Sequence, residues 1–160
     1  MVEGGVFPDY RSGMVAVVGR PNAGKSTLIN ALIGHKISIV TAKPQTTRHA
    51  ILGILSTDHY QAVFVDTPGL HKVSGKLINK AMNKAAVASL EGADLVLFMV
   101  DARGWSEDDD GILERIRDAN VPCILLVNKI DYIKQREQLF PYLQSVGAKH
   151  DFREIVPLSA

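Results

Sequence analysis

Residues 19–26 read Gly-Arg-Pro-Asn-Ala-Gly-Lys-Ser, and this segment constrains the fold of the chain more than any other. An apolar run typical of a buried strand precedes it, and a helical pattern follows it. The glycines let the backbone curl so that successive N–H groups face phosphate oxygens, while Lys25 adds a positive charge and Ser26 offers a hydroxyl to magnesium. The following helix directs its positive end toward the same phosphates. The predicted phosphate contacts are Gly19, Arg20, Pro21, Asn22, Ala23, Gly24, Lys25, Ser26 and Thr27.

The rest of the chain alternates strand patterns with helical patterns. Strands are expected at 14–18, 50–55, 60–65, 95–100, 121–127 and 154–158, the second and third forming a hairpin. Helices are expected up to a C-cap at Gly34, at 81–90, after an N-cap at Ser106 with Asp109 in capping-box position, and at 134–146. The alternation predicts an α/β fold, a P-loop NTPase with a mostly parallel sheet, one antiparallel edge strand and helices on both faces. We expect residues 1–12 to form a flexible tail and 13–160 to form one nucleotide-binding domain.

The segment Asp66-Thr67-Pro68-Gly69 follows the third strand, at the sheet edge where ligands of such folds bind. A carboxylate at Asp66 can hold magnesium through a water, and the Gly69 N–H can reach a terminal phosphate. In isolation this pattern more often marks a turn. Its position second in order after the phosphate loop favours nucleotide contacts from Asp66, Thr67, Pro68 and Gly69.

The segment Asn128-Lys129-Ile130-Asp131 follows another apolar strand and predicts the choice of base. Guanine presents neighbouring N1–H and N2–H donors, and the Asp131 carboxylate can accept both. Adenine lacks this pair, so a buried Asp131 would be left unpaired by ATP. Asn128 can serve loop backbone or base acceptors, and the stem of Lys129 can lie over the base plane. Ser159 and Ala160, after the last strand, are placed to offer a backbone N–H to guanine O6.

The stretch 41–49 has no apolar period and predicts a mobile loop that contains Thr46 and Thr47. One of these hydroxyls can ligate magnesium and sense the γ-phosphate, with Thr47 favoured over Thr46. The expected magnesium ligands are therefore Ser26, Thr47 and Asp66.

Four segments together resemble the Era GTPases, within the wider group that contains TrmE and EngA. They are the phosphate loop, Pro-Gln-Thr-Thr-Arg-His at 44–49, Asp-Thr-Pro-Gly-Leu-His at 66–71, and Asn-Lys-Ile-Asp at 128–131. The resemblance covers residues 14–160 and implies a ribosome-assembly factor with a KH RNA-binding domain after the GTP-binding domain. Because the chain stops at Ala160, we expect that domain to be missing from it.

Catalysis is expected to differ from that of Ras-like enzymes, which orient water with a glutamine after D-x-x-G. Here that position is Leu70, which cannot hydrogen-bond a water. The resemblance implies that Asn22 helps to bind potassium, whose charge replaces an arginine finger, although Asn22 can instead only brace its loop. A role for His71 as a base is not favoured, because a histidine in a mobile loop is more often solvated. The expected catalytic residues are Asn22, Lys25, Thr47 and Gly69.

Composition limits the partners of this segment. The net charge of +1 argues against the domain itself gripping nucleic acid, although Lys76, Lys80 and Lys84 would share one helix face that is either solvated or directed to a phosphate-rich partner. The single cysteine, Cys123, is expected to be buried, and the acidic run 107–110 suits a helix N-terminus better than a metal. No run approaches the length of a membrane span, which predicts a cytoplasmic protein.

The sequence therefore predicts a GTP-binding and GTP-hydrolysing switch that uses Mg²⁺, with K⁺ as a further ion. Through the missing domain it implies 16S-type rRNA and the small ribosomal subunit as partners; a monomer is expected, and peripheral membrane association is left open. One alternative is a regulatory scaffold whose hydrolysis is incidental. A P-loop kinase or ATPase is a second alternative, against which residues 128–131 argue.

Overall fold

The computed structural model describes residues 9–34, 50–67, 70 and 80–160. Within these ranges the chain forms a six-stranded sheet of strand order β2-β3-β1-β4-β5-β6. Its strands are β1 (Arg11–Gly19), β2 (Ala50–Ser56), β3 (Tyr60–Asp66), β4 (Leu95–Asp101), β5 (Cys123–Asn128) and β6 (Glu154–Pro157). Only the β2–β3 pairing is antiparallel, so the predicted fold class is confirmed.

Four helices cover the two faces of the sheet: α1 (Lys25–Ile33), α2 (Lys80–Glu91), α3 (Glu107–Ala119) and α4 (Leu139–Gly147). Successive side chains of a strand point to opposite faces, and β1 shows this alternation. Val17 packs with Ile29 and Ile33 of α1, whereas Ala16 and Val18 belong to the larger core on the other face. That larger core includes Ala86, Leu90, Ile112, Leu113, Ile116 and Val146 from α2, α3 and α4.

Helix α4 begins at Leu139, five residues later than the sequence pattern predicts. Pro141 gives the reason, because a proline in a helix interior lacks a donor and clashes with the carbonyl four residues earlier. Starting the helix at Leu139 places Pro141 in the first turn, where no intrahelical partner is lost. The preceding residues form two 3₁₀ turns, Ile130–Tyr132 and Arg136–Gln138, instead.

The start of the first strand also differs from expectation. Strand β1 begins at Arg11, which pairs with Tyr60 in β3, so the strand includes two residues that were predicted to belong to the tail. The buried thiol of Cys123 is confirmed, and burial raises its pKa to about 12. Among the helices of the described ranges, none has the length and apolar character needed to cross a membrane.

Candidate nucleotide-binding site

The register of the sheet brings three of the predicted segments to one edge. Val17 of β1 lies beside Asp66, and Asp101 at the end of β4 lies beside Asn128 at the end of β5. Because these strands are parallel, their carboxyl ends meet there. The post-strand segments at Gly19, Asp66 and Asn128 therefore share the edge that the sequence predicted.

The phosphate loop folds back tightly over the start of α1. Gly24 has φ +105°, and a Cβ atom there would lie 2.2 Å from Nδ2 of Asn128, so a side chain is excluded on two counts. The Lys25 ammonium donates a hydrogen bond to the carbonyl oxygen of Gly19 at 2.7 Å. Burial lowers the pKa of Lys25, and the negative charge of Asp66 partly offsets that effect. The loop thus presents its lysine close to the carboxylate that ends β3.

Asn128 joins the phosphate loop to the base-binding segments. It is fully buried, its Nδ2 donates to the carbonyl oxygen of Ala23 at 2.8 Å, and its Oδ1 accepts from the backbone N–H of Ala160 at 2.9 Å. Of the two roles open to it from the sequence, the structure supports bracing of loop backbone. A buried amide with both ends satisfied also fixes the relative positions of these loops.

Lys129 makes a second connection between the two loops. Its Nζ donates to the carbonyl oxygen of Asn22 at 2.7 Å and lies 3.6 Å from Oδ2 of Asp101. Both Lys129 and Asn22 have left-handed backbone conformations, with φ of 68° and 66°. The extended lysine therefore crosses the gap between the base loop and the phosphate loop.

Asp131 is exposed, so the expectation that it would be buried is wrong for this structure. Its Oδ1 accepts a hydrogen bond from the Ser159 hydroxyl at 2.6 Å. The reason is local: Asp131 lies in the 3₁₀ turn that follows β5, and this turn lies on the surface. Any discrimination against adenine by this carboxylate would therefore depend on the desolvation that an arriving base imposes on it, not on an existing buried charge.

These elements enclose a pocket of about 360 Å³. It is lined by Asn22, Gly24, Lys25, Ser26, Thr27, Asn128, Lys129 and Ala160. Asp131 and Ser159 line an adjoining pocket of about 590 Å³ with Arg136 and three apolar side chains. Sequence prediction therefore identified most of the lining.

Arg20 differs from the other residues of the phosphate loop. Its Nε donates to Oδ1 of Asp109 at 3.1 Å and its Nη2 donates to the carbonyl oxygen of Gly104 at 3.3 Å. The guanidinium is therefore bound to the first turn of α3 and to the segment before it, and only the main chain of Arg20 remains to contact a phosphate. Pro21, the next residue, is exposed.

Several predicted site residues lie outside the described residues, namely Thr46, Thr47, Pro68, Gly69, His71 and Lys76. Next to them, Thr67 is fully buried, and its hydroxyl has no hydrogen-bond partner within the described part of the chain. Leu70 is only 2% exposed and belongs to the larger core. A leucine packed in the core agrees with the expectation that this position does not orient a water.

The residues at the sheet edge fit a magnesium ion. Ser26 and Asp66 supply the hydroxyl and carboxylate oxygens that this hard cation prefers, and the charge of Asp66 is felt at Lys25 in the same pocket. The described ranges hold no group of three or more His, Cys, Asp or Glu side chains arranged around a metal. A site of this kind instead completes its coordination with phosphate oxygens and water.

Asp101, which contacts Lys129, is a residue of the site that was not predicted from the sequence. Hydrogen bonds from Arg103 lower the pKa of Asp101 to about 2, although burial of the carboxyl group opposes its ionisation. Its carboxylate thus stays charged beside Lys129. Asp101 could have been predicted from the sequence because it ends an apolar strand, at the same sheet edge as Asp66 and Asn128.

Comparison with known proteins agrees with this geometry. A family model described as 50S ribosome-binding GTPase matches residues 14–129. GTPase Era of Actinobacillus pleuropneumoniae serotype 5b is 46% identical over 160 residues, which is 100% of this chain and 53% of that protein. A crystal structure of an Aquifex aeolicus Era variant bound to GDP·AlF4⁻ is 41% identical with a TM-score of 0.69, and the match covers 92% of this chain and 51% of that one. The same values describe the match to Era in complex with MgGDPNP and nucleotides 1506–1542 of 16S ribosomal RNA.

The chain spans about half the length of the curated relatives it matches. The family model, by contrast, covers most of this chain, including the phosphate loop and the strand that ends at Asn128. The chain therefore belongs to the 50S ribosome-binding GTPase family, within which it is similar to GTPase Era.

Proposed function

We propose that this chain binds GTP and GDP and hydrolyses GTP, and that it acts as a nucleotide-dependent switch. The observation that carries the proposal is the joining of the two loops by Asn128 and Lys129, which contact the carbonyl oxygens of Ala23 and Asn22. A loop that binds phosphates and a loop that selects guanine are thereby held at a fixed separation on one sheet edge. A ligand with both a guanine base and a polyphosphate fits this arrangement best.

Different residues of the chain have different roles in hydrolysis. Main-chain N–H groups of the phosphate loop and the start of α1 bind phosphate oxygens, and Lys25 brings a positive charge to them. Ser26, Asp66 and Thr47 would hold a magnesium ion, which would supply charge that offsets the negative charge developing on the phosphates. Gly69 donates its N–H to the γ-phosphate, and the loss of that phosphate releases the loops that contain Gly69 and Thr47.

Exchange of the base tests the assignment of Asp131. Replacing Asp131 with Asn reverses one hydrogen-bond partner, so GTP affinity should fall by roughly 10²-fold and binding of xanthosine triphosphate should improve. Fluorescent-nucleotide titration measures both affinities, and Asp58→Asn, an exposed aspartate in the β2–β3 turn, is the matched control. Competition by ATP as strong as that by GTP in the parent protein would refute guanine selection and favour a kinase or ATPase.

We propose potassium as a second ion that Asn22 helps to bind. Asn22 is exposed at the rim of the pocket and holds a left-handed conformation. Turnover should be faster in potassium chloride than in sodium chloride at equal ionic strength, and Asn22→Ala should remove that difference. Equal rates of the parent protein in the two salts would contradict the proposal and leave Asn22 as a brace of its loop.

A regulatory scaffold with incidental hydrolysis is the alternative function. It shares the nucleotide site but needs no hydrolysis on the time scale of the switch. Single-turnover hydrolysis of bound GTP in the intact protein separates the two, because a switch should release phosphate faster than it exchanges nucleotide. Phosphate release slower than exchange would favour the scaffold.

We further propose 16S-type rRNA and the small ribosomal subunit as partners. The support is the similar Era structure, which is in complex with a segment of 16S ribosomal RNA. Lys84 on α2 is exposed, and Lys80 begins the same helix; Lys76 would share their helix face if the helical pattern extends to it. Reversal of all three charges should weaken ribosome binding and reduce its salt dependence, and unchanged binding would exclude this face.

The same proposal includes a monomeric, cytoplasmic protein. Sedimentation tests the oligomeric state, and cell fractionation tests the location. Flotation with vesicles tests peripheral membrane association.

A further inference from the structure

The phosphate loop is held from behind by a buried carboxylate. Asp109 is fully buried at the start of α3, and its Oδ1 accepts from Nε of Arg20 at 3.1 Å. Its Oδ2 accepts from the backbone N–H and the hydroxyl of Ser106, at 2.9 and 3.2 Å. One carboxylate thus both caps α3 and fixes a residue 89 positions earlier in the chain.

Burial makes this contact hard to lose. The desolvation of Asp109 raises the pKa of its carboxyl, and the charge of Arg20 and the donors of Ser106 oppose that rise. A buried carboxylate without its cation is strongly disfavoured, so Arg20 is held tightly in place. The second hydrogen bond, from Arg20 to the carbonyl oxygen of Gly104, fixes the plane of the guanidinium.

The contact acts on the loop and not on the ligand. Arg20 directly follows Gly19, but it does not line the pocket, whose phosphate-loop members begin at Asn22. Lys129 holds the carbonyl oxygen of Asn22 from the other side. The loop backbone is therefore fixed at residues 20 and 22 by groups that leave the pocket itself open.

We propose that Asp109 is a positioning residue for nucleotide binding, which holds Arg20 so that the N–H groups of the phosphate loop stay convergent before a nucleotide arrives. This inference rests on the proposed function. Its physical basis is preorganisation: a loop already in its binding conformation loses less conformational entropy when phosphates bind. The contact joins two elements that local sequence patterns treat separately, the phosphate loop and the cap of α3.

The test compares Arg20→Gln, which removes the ion pair, with Ser106→Ala, which weakens the cap of α3 and keeps the pair. In the intact protein, Arg20→Gln should speed dissociation of a fluorescent GDP analogue roughly tenfold, while Ser106→Ala should stay within about twofold of the parent. Arg20→Lys, which can pair with Asp109 but cannot also reach Gly104, should recover part of the loss. The ³¹P resonance of the β-phosphate of bound GDP should shift in Arg20→Gln and not in Ser106→Ala.

Asp109→Asn and the double variant Arg20→Gln/Asp109→Asn complete a cycle. If the residues act through each other, the double variant should lose no more than the worse single variant. A fold defect in Asp109→Asn would appear as a lowered melting temperature, and the comparison of Arg20→Gln with Ser106→Ala would still decide the matter. GDP dissociation from Arg20→Gln within twofold of the parent would overturn the proposal.

Hydrogen exchange of the nucleotide-free protein separates this inference from the proposed function. Amides of residues 22–25 should exchange faster in Arg20→Gln than in the parent or in Ser106→Ala, whether or not GDP binds. Failure of the parent protein to bind GDP would refute the proposed function. Unchanged exchange in Arg20→Gln would refute the holding of the loop by Asp109.

Discussion

At the residue scale, Asn128 shows how a side chain that is not catalytic can still fix the geometry of a binding site. Its amide connects Ala23 in the phosphate loop with Ala160 at the end of the chain. Both contacts use the chemistry of an amide, which has a donor and an acceptor on one carbon. No other side chain of similar size offers that combination.

Asn128→Asp should therefore weaken nucleotide binding more than its small change in shape suggests. The carboxylate can still accept from Ala160 but turns an oxygen toward the carbonyl oxygen of Ala23, 2.8 Å from the present nitrogen. Loss of a buried hydrogen bond with a repulsive contact in its place should cost about 2 kcal/mol or more, so GDP affinity should fall at least about tenfold. Isothermal titration with GDP measures the loss. Asn120→Asp makes the same change at an exposed position and should leave affinity unaltered; equal losses in the two variants would contradict the role of Asn128.

Asp101 gives a pH dependence whose sign follows from its pKa. Hydrogen bonds from Arg103 lower that pKa from 3.8 to about 2 in the folded chain. The ionised carboxylate therefore contributes stability that is fully present above the unfolded pKa and is lost as the pH falls from 3.8 toward 2. Urea unfolding of the parent and of Asp101→Asn should give a constant difference in free energy from about pH 7 to about pH 5 and a shrinking difference below about pH 4. A difference that grows on acidification would contradict the assignment.

The residues that could be predicted from the sequence were those in local motifs. Gly19–Ser26 and Asn128–Asp131 indicate their chemistry within a few positions, and half of their members line the pocket of about 360 Å³. The contact of Arg20 with Asp109 has no such signal, because the two residues are distant in sequence and Asp109 already has a local explanation as a cap. The exposure of Asp131 was mispredicted because burial of a carboxylate depends on tertiary packing around a short turn.

At the element scale, the strands and helices lie close to where the spacing of apolar residues predicts them, and the exceptions have steric causes. Four of the six strands, β3, β1, β4 and β5, have a neighbouring strand on both sides, and their apolar runs mark them clearly. The start of α4 was mispredicted because Pro141 was counted as part of a helical pattern, although its ring prevents a helix from beginning a full turn earlier. The capping box of α3, by contrast, was predicted from Ser106 and Asp109 and is confirmed.

The turn between β1 and α1 depends on Gly24, and Gly24→Ala should disrupt it. At φ +105° a side chain is strained, and the added Cβ would lie 2.2 Å from Nδ2 of Asn128. We expect a loss of about 2–4 kcal/mol of stability and loss of measurable GDP binding, because strain and clash add and the Asn128 bridge must move. Thermal unfolding and GDP titration measure the two effects.

Gly34→Ala is the matched control for strain alone. Gly34 ends α1 with φ +62°, and a Cβ there would meet nothing within 4 Å. Its replacement should cost about 1 kcal/mol with no change in GDP affinity. Equal GDP affinities of Gly24→Ala and Gly34→Ala would show that the clash with Asn128 is tolerated.

At the scale of the whole molecule, the nucleotide site lies across the middle of the sheet. The phosphate loop leaves central β1, whereas Asn128, Lys129 and Ala160 belong to the β5–β6 side. A ligand that contacts both sides therefore adds to the contacts of Asn128 and Lys129 that already join the two loops. Binding should stabilise the folded domain as one cooperative unit.

Addition of GDP should accordingly raise the melting temperature of the chain, by an amount set by mass action. At a ligand concentration about 100 times Kd, stabilisation is about 2.7 kcal/mol, which for a domain of this size corresponds to roughly 5–10 °C. Differential scanning fluorimetry with GDP and with ADP at equal concentration makes the measurement. GDP should give the full shift and ADP almost none, since the Asp131 carboxylate finds its donor pair only on guanine. In Asp131→Asn the shift with GDP should shrink while that with xanthosine diphosphate appears. Because GDP and ADP carry the same phosphates, a shift with ADP as large as that with GDP would mean that the phosphates alone stabilise the fold and that the base loop contributes nothing.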